Sequence, residues 1–361
     1  MEDHEELSLL STSKEYIMEY IENDKVYRMA SNLNAFQKKL YMHLIDWKFE
    51  NLRISDPGHH GENVYDYMFP DEYIKKHPLP PFIYDGLHKV IEDMQKGKFA
   101  YKVHKMAYHM ASSQTACVNL FMPILLDDQA DIIVRNIPGC PKDFIRIDRN
   151  RLYKGFCFEY WGQDFACSKG VLGDHSNAAG TDSDLAIAYI NDKSEHCLWL
   201  IEHKLTEKEF TTCGGYKSDG NKDKEACRTN GLSDLISFPN RCHYHRIGYD
   251  YWNITAQKQS AFKIDSESHR CPFCGGMNQL WRNQLLAFAY MNCGQYTHVS
   301  FSVVHHRDND SLETTLMEYR NLITSEITMT SFTNEDVISV VEKISPGLSD
   351  WATWYRNLYD I

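Results

Sequence analysis

The chain has 361 residues, of which 43 % are hydrophobic, and a formal net charge of −12. That length can bury one elaborated domain or somewhat more, and no apolar run approaches the roughly 20 residues of a membrane span. The acidic residues 1–6 lack the basic and apolar regions of a signal peptide. The 11 cysteines, an odd number, favour free thiols or metal ligands over a disulfide framework, so a cytoplasmic protein is expected. Bulk negative charge counts modestly against tight nonspecific DNA binding, though not against phosphodiester chemistry.

Residues 13–50 read as helical, in two pieces: Ser13–Ile21, and Ala35–Ile45 with an apolar stripe at Phe36, Leu40, Leu44 and Ile45. Loops are expected at 55–62 and around Pro78–Pro81, with more helix between Pro81 and Lys105. The basic stretch Lys96–Lys105 reads as a solvated surface segment. An apolar helix then opens at Ser112 and runs to Leu126. Gly155–Trp161 is an aromatic-rich strand. Thr181–Ile190 is a strand that begins with acids and turns apolar, and Asn191–Ser194 is a turn. Cys197–Lys204 is an apolar strand that ends in an acid, a spacer and a lysine. A long segment rich in Gly, Cys, His, Asn and Asp covers 207–276 and carries too little apolar sequence to build much core. The helix Gln279–Met291 and the strand Tyr296–Val304 follow. Three more helices close the chain: Leu312–Ile323, one capped near Thr333, and Leu348–Tyr359. The expected division is a helical region over 1–110, an α/β core over 111–306 with 207–276 inserted, and a helical extension over 307–361.

The chemistry concentrates at the ends of the two apolar strands. Side chains alternate along a strand, so Glu202 and Lys204 share one face and His203 takes the other. A hairpin through Asn191–Ser194 would bring Asp184 beside Glu202. Two carboxylates and an ammonium on one surface suit a hydrated Mg²⁺ and a phosphate.

Asp184 with Glu202-His203-Lys204 resembles the PD-(D/E)XK nuclease superfamily, the restriction-endonuclease fold. Ser183 stands where that motif usually has proline. Four further stretches resemble a bacterial restriction-endonuclease-like group: Ser112–Phe121, Phe158–Tyr160, Cys271–Phe273 and Gln279–Asn283. The resemblance implies an αβββαβ core with a mixed sheet, and the breaks in this sequence give that order. It also implies a DNA endonuclease, of restriction or phage-defence type, that uses Mg²⁺ or Mn²⁺. Asp184 and Glu202 would hold the ion, with the His203 carbonyl as a third ligand. Lys204, its charge favoured by two neighbouring acids, would stabilise developing negative charge rather than act as a base. Glu159 either supplies a further carboxylate or faces solvent at a strand edge. Asp182 reads as a turn acid and Glu207 as a surface acid. Gln279 and Arg282 share a helix face and would hold a phosphate or Lys204, or else are a helix cap and a surface arginine. Gln114 and Asn119 are polar residues in an apolar helix, with Gln114 a candidate substrate contact. Nucleic acid is the expected partner, and a homodimer would place two sites on two strands. The competing reading is a nuclease fold without turnover, acting as a zinc-stabilised binding module.

Cys271-Pro-Phe-Cys274 is a knuckle that aims two thiolates at one ion. Four of Cys213, Cys227, Cys242, Cys271 and Cys274 would complete a structural Zn²⁺ site, with His243 and His245 in reserve. An iron–sulfur cluster accepts the same donors. Cys117, Cys157 and Cys197, on apolar elements, read as small buried hydrophobes.

Overall fold

The computed structural model describes residues 17–361 apart from 105, 166, 177–179 and 266. Residues 13–16, the start of the expected first helix, and Lys105, the end of the basic stretch, therefore lie outside the described residues. Two compact units emerge among the described residues: the first takes in those up to Ile83 with 106–112 and Arg356–Asp360, and the second those in Tyr84–His104 and Ser113–Tyr355.

In the first unit, strands β1 (Ile17–Glu22) and β2 (Lys25–Ala30) form an antiparallel hairpin with Tyr20 opposite Tyr27. This overturns the helical reading of residues 17–21. Asn23 and Asp24 adopt φ of 50° and 63°, the pair of left-handed conformations a two-residue hairpin turn requires and these residue types tolerate. The turn and the cross-strand aromatic pair outweigh a helical periodicity only a few residues long. Helix α1 (Ala35–Asn51) starts at Asn34, whose side chain accepts from the Gln37 N–H at 2.8 Å while Gln37 accepts from the Asn34 N–H at 3.0 Å. It buries Leu40, Leu44 and Ile45 as expected. It also buries Lys48, whose ammonium donates to the carbonyls of Asp56, Asp66 and Met68 at 2.8, 3.0 and 2.7 Å. Part of the expected loop at 55–62 pairs instead, as β3 (Gly58–His60) with β4 (Asn63–Tyr65).

The second unit is built on a six-stranded mixed sheet. Its strands are β5 (Phe144–Ile147), β6 (Phe156–Tyr160), β7 (Ser183–Asn191), β8 (His196–Lys204), β9 (His298–His305) and β10 (Met329–Thr333). Along the sheet the order is β10-β9-β8-β7-β5, with β6 also paired to β7. The β7–β8 hairpin turns at Asn191–Ser194, closed by the Ser194 N–H on the Asn191 carbonyl at 3.0 Å. Strands β9 and β10 run parallel to their neighbours. Neither β5 nor β10 was anticipated: each is short, and each is fixed by pairing with sequence-distant strands rather than by its own pattern.

Helix α2 (Ser113–Leu126) is buried from Thr115 to Leu125, and α3 (Ala130–Asn136) follows it. Helix α4 (Met277–Asn292) packs Leu280, Leu285 and Leu286 on the sheet face that carries Ala186, Ala188, Leu198 and Leu200. Helices α5 (Glu313–Leu322), α6 (Asn334–Ile344) and α7 (Ser349–Tyr359) complete the chain. Thr333 and Asp336 cap α6 reciprocally.

The segment 207–276 differs from expectation. It contains the short helices Leu232–Ser237 and Tyr251–Gln257 among others, and it does build a core. Trp252 and Phe273, isolated in sequence, close on Trp281 of α4 with ring centroids 5.0 and 4.2 Å away. A few aromatics bury as much area as many aliphatics, and local apolar density understates that.

Candidate active site

Strand register brings two carboxylates together, with a third nearby. Across β6 and β7, Phe158 faces Leu185 and Tyr160 faces Ser183, and Glu159 between them is left out of the pairing, though its charge acts on Asp184. Across β7 and β8, Leu185 faces Ile201, and one step further Asp184 meets Glu202. Directly opposed residues share a sheet face. Asp184 and Glu202 therefore share the face that α4 covers, and Glu159, on the strand beside Asp184, lies near enough for its charge to act on Asp184. Glu159 has φ of 52°, an uncommon value for a side-chain-bearing residue, and the direct pairing lapses there.

Glu202 is buried and held from three directions. Its Oε1 accepts from Lys204 Nζ at 2.9 Å and from Gln279 Nε2 at 2.6 Å. Its Oε2 accepts from Asn283 Nδ2 at 2.7 Å. Asp184 Oδ2 accepts the His203 backbone N–H at 2.6 Å. Burial, then the Glu202 and Glu159 charges, push the Asp184 carboxyl well above the usual range, against Lys204. Burial and Asp182 push Glu159 up to about 8, against a hydrogen bond from Gln114. Asp182 keeps solvent access, yet the protein packed around its carboxyl and the Glu202 charge raise it to about 6. At Lys204, burial opposes the charge, but Glu202, Glu207 and Asp184 more than offset it, and the ammonium is held above its ordinary value. His203 lies on the opposite face, where burial and Lys204 depress it to about 3.

The remaining sequence candidates separate. Gln279 touches Glu202 rather than Lys204, and its Oε1 accepts from the Thr211 N–H at 2.9 Å. Arg282 sits among Tyr251, Tyr244 and Asp174, which hold its charge up against the cost of burial. Gln114 accepts from the His104 N–H at 2.9 Å and donates to the Lys102 carbonyl at 3.0 Å, so besides Glu159 it braces a loop. Asn119 accepts from the Tyr84 N–H at 3.0 Å inside the unit. Glu207 folds back onto the Leu205 and Thr206 N–H groups at 2.8 and 3.0 Å, directly beyond Lys204. Asn283 was missed. Its signal was available: a polar residue four after Gln279 on an otherwise apolar helix flank. Of the basic stretch, Lys96 pairs with Asp93 at 3.1 Å and Lys98 is exposed.

Cys213 and Cys271 are buried in the core below α4, and Cys242 and Cys274 pack against it. Cys213 Sγ accepts from the Tyr216 N–H at 3.3 Å, and the Cys271 N–H donates to the Cys227 carbonyl at 3.1 Å. Burial, then Cys242, Cys213 and Cys274, raise the Cys227 thiol to about 12. Among the described residues, however, no three His, Cys, Asp or Glu side chains are arranged to hold a metal ion. Cys117, Cys157 and Cys197 are buried, Cys157 with its Sγ accepting from Gln163 Nε2 at 3.2 Å.

A mixed central sheet flanked by helices is consistent with a restriction-endonuclease-like fold. The chain belongs to the family described as Restriction Endonuclease associating with ARP, which it matches over residues 42–360. No curated protein and no solved structure matches it. Among the described residues no helix is long and apolar enough to cross a membrane.

Proposed function

We propose that this protein is a metal-dependent endonuclease of the PD-(D/E)XK type, hydrolysing phosphodiester bonds in nucleic acid, with DNA the favoured substrate and restriction or phage defence the favoured setting. The observation that carries this reading is the Glu202–Lys204 pair, buried together at 2.9 Å and flanked by Asp184 and Glu159. A buried ion pair of this kind costs desolvation energy and gives little net stability, so a chemical role accounts for it better than a structural one.

A divalent cation held by Asp184 and Glu202 would neutralise the scissile phosphate and lower the pKa of an attacking water. Two carboxylates suffice for Mg²⁺, which keeps several of its waters. Lys204 keeps its charge on the same Glu202 carboxylate, at 2.9 Å. Its part is to donate to oxygen as negative charge develops, not to accept a proton. Glu159, whose charge acts on Asp184, would supply a further carboxylate to the site. Asp182, at about 6, flanks the approach.

The thiols of the 207–276 segment are proposed to hold a structural Zn²⁺ through four of Cys213, Cys227, Cys242, Cys271 and Cys274. The chemistry of the donor set and the N–H···S bond at Cys213 favour this. The side chains must still turn onto the ion, because no tetrahedron is preassembled.

Cleavage of plasmid DNA, single-stranded DNA and RNA with Mg²⁺ or Mn²⁺ tests the reading. Activity should vanish with EDTA and in Glu202→Ala and Lys204→Ala. Cleavage that survives both substitutions defeats it. Metal-insensitive binding without cleavage on every substrate would favour the silent binding module instead.

A further inference from the structure

Resting on the nuclease reading, a count of acceptor positions singles out one more residue. A carboxylate offers about four lone-pair positions, two on each oxygen. Glu202 Oε1 already receives Lys204 and Gln279, at 2.9 and 2.6 Å, which fills it. Oε2 receives Asn283 at 2.7 Å, which leaves one position. On the neighbouring carboxylate, Oδ2 of Asp184 receives the His203 N–H at 2.6 Å, so Oδ1 is the oxygen with both positions open to an ion. Glu202 and Asn283 are only 3 % and 1 % exposed, so neither is free to swing away. The helix that carries Asn283 is anchored on both sides by buried Leu280, Trp281, Leu285 and Leu286.

We propose that Asn283 is a positioning residue for the cation. By taking one acceptor position of Glu202 Oε2 it fixes the carboxylate plane and leaves a single position on that oxygen for an ion. The two donors on Glu202 that α4 supplies are then unequal. Gln279 shares Oε1 with Lys204, so its loss leaves that oxygen restrained. Asn283 alone restrains the oxygen that keeps a position for the ion. Groups that orient a metal ligand typically contribute about 10–100-fold to affinity.

The test measures Mn²⁺ binding to the full chain without nucleic acid, by the electron paramagnetic resonance signal of free Mn²⁺. Asn283→Leu should weaken Mn²⁺ binding about 10–100-fold, and cleavage should recover as Mn²⁺ is raised, with KM for nucleic acid unchanged at saturating metal. Gln279→Met should shift Mn²⁺ affinity no more than about threefold, because Lys204 still holds Oε1. If Asn283→Leu fails to fold, Asn283→Ser, too short to reach Oε2, should give the same loss. Wild-type Mn²⁺ affinity in a folded Asn283 variant overturns the proposal. So does an equal loss in both helix variants, or a wild-type protein that binds no Mn²⁺. If the wild type binds Mn²⁺ but cuts no substrate, only the nuclease reading falls, and the Asn283 comparison can still be read.

Discussion

Replacing Glu159 by Gln isolates the cost of crowding acids together. In the metal-free protein the Glu159 carboxyl is raised to about 8 from an ordinary 4.5, chiefly by burial and by Asp182. A group whose folded pKa is raised stabilises the fold fully below its unfolded pKa, and that contribution is lost as pH rises through the folded value. The wild type should therefore lose stability between about pH 4.5 and 8, while Glu159→Gln, which keeps only the raised Asp184 and Asp182 carboxyls, should lose less. The shift of 8 − 4.5 = 3.5 units sets a ceiling of about 5 kcal/mol. Partial exposure and the shared acids reduce that to about 2 kcal/mol, or roughly 4–8 °C in Tm for a unit of this size. Thermal unfolding in EDTA at pH 5 and pH 9 reads it directly. The two proteins should melt together at pH 5, and Glu159→Gln should melt several degrees higher at pH 9. A difference of equal size at both values, or a less stable variant at pH 9, would refute the reasoning.

Other consequences can be measured separately. Lys204→Met removes the ammonium from a buried carboxylate: cleavage should fall by at least about 100-fold, and metal-free stability should drop by about 3 kcal/mol because Glu202 is left with an uncompensated charge. Stability unchanged in urea titration would contradict the buried pair. Thr333→Ala deletes the N-cap of α6, in which Thr333 Oγ1 accepts from the Asp336 N–H at 3.1 Å, and should cost about 1 kcal/mol with cleavage unaffected. For the thiols, Cys271→Ser and Cys274→Ser should each abolish a stoichiometric zinc signal in elemental analysis and lower Tm. Zinc content equal to wild type in both would remove that site.

The sequence made the chemistry easier to read than its supports. Glu202 and Lys204 end a strand that is otherwise apolar, and side-chain alternation places them on one face without further information. Asp184 follows from the short turn at Asn191–Ser194, which fixes hairpin register. Helices α2, α4 and α6 carry their own periodicity or caps, and Thr333 announces the start of α6 locally. Elements that depend on distant partners were not visible: β5 and β10 acquire their character from β7 and β9. The N-terminal hairpin was misread because a few apolar residues fit either period, and the decisive signal lay in the Asn23–Asp24 turn. The nearness of Glu159 to Asp184 needed the β6–β7 pairing, and Asn283 could not be linked to Glu202 before the α4 packing was known. The 207–276 segment looked too poor in apolar residues for a core because its aromatics meet through folding, on Trp281, rather than along the chain.

The most direct test of the paired carboxylates is crystallographic: crystals soaked in Mn²⁺, with data collected at the manganese absorption edge. The account predicts one dominant anomalous peak between Asp184 Oδ1 and Glu202 Oε2, lost in Asp184→Ala. A peak elsewhere on the molecule, or none with the ion in millimolar excess, would contradict it.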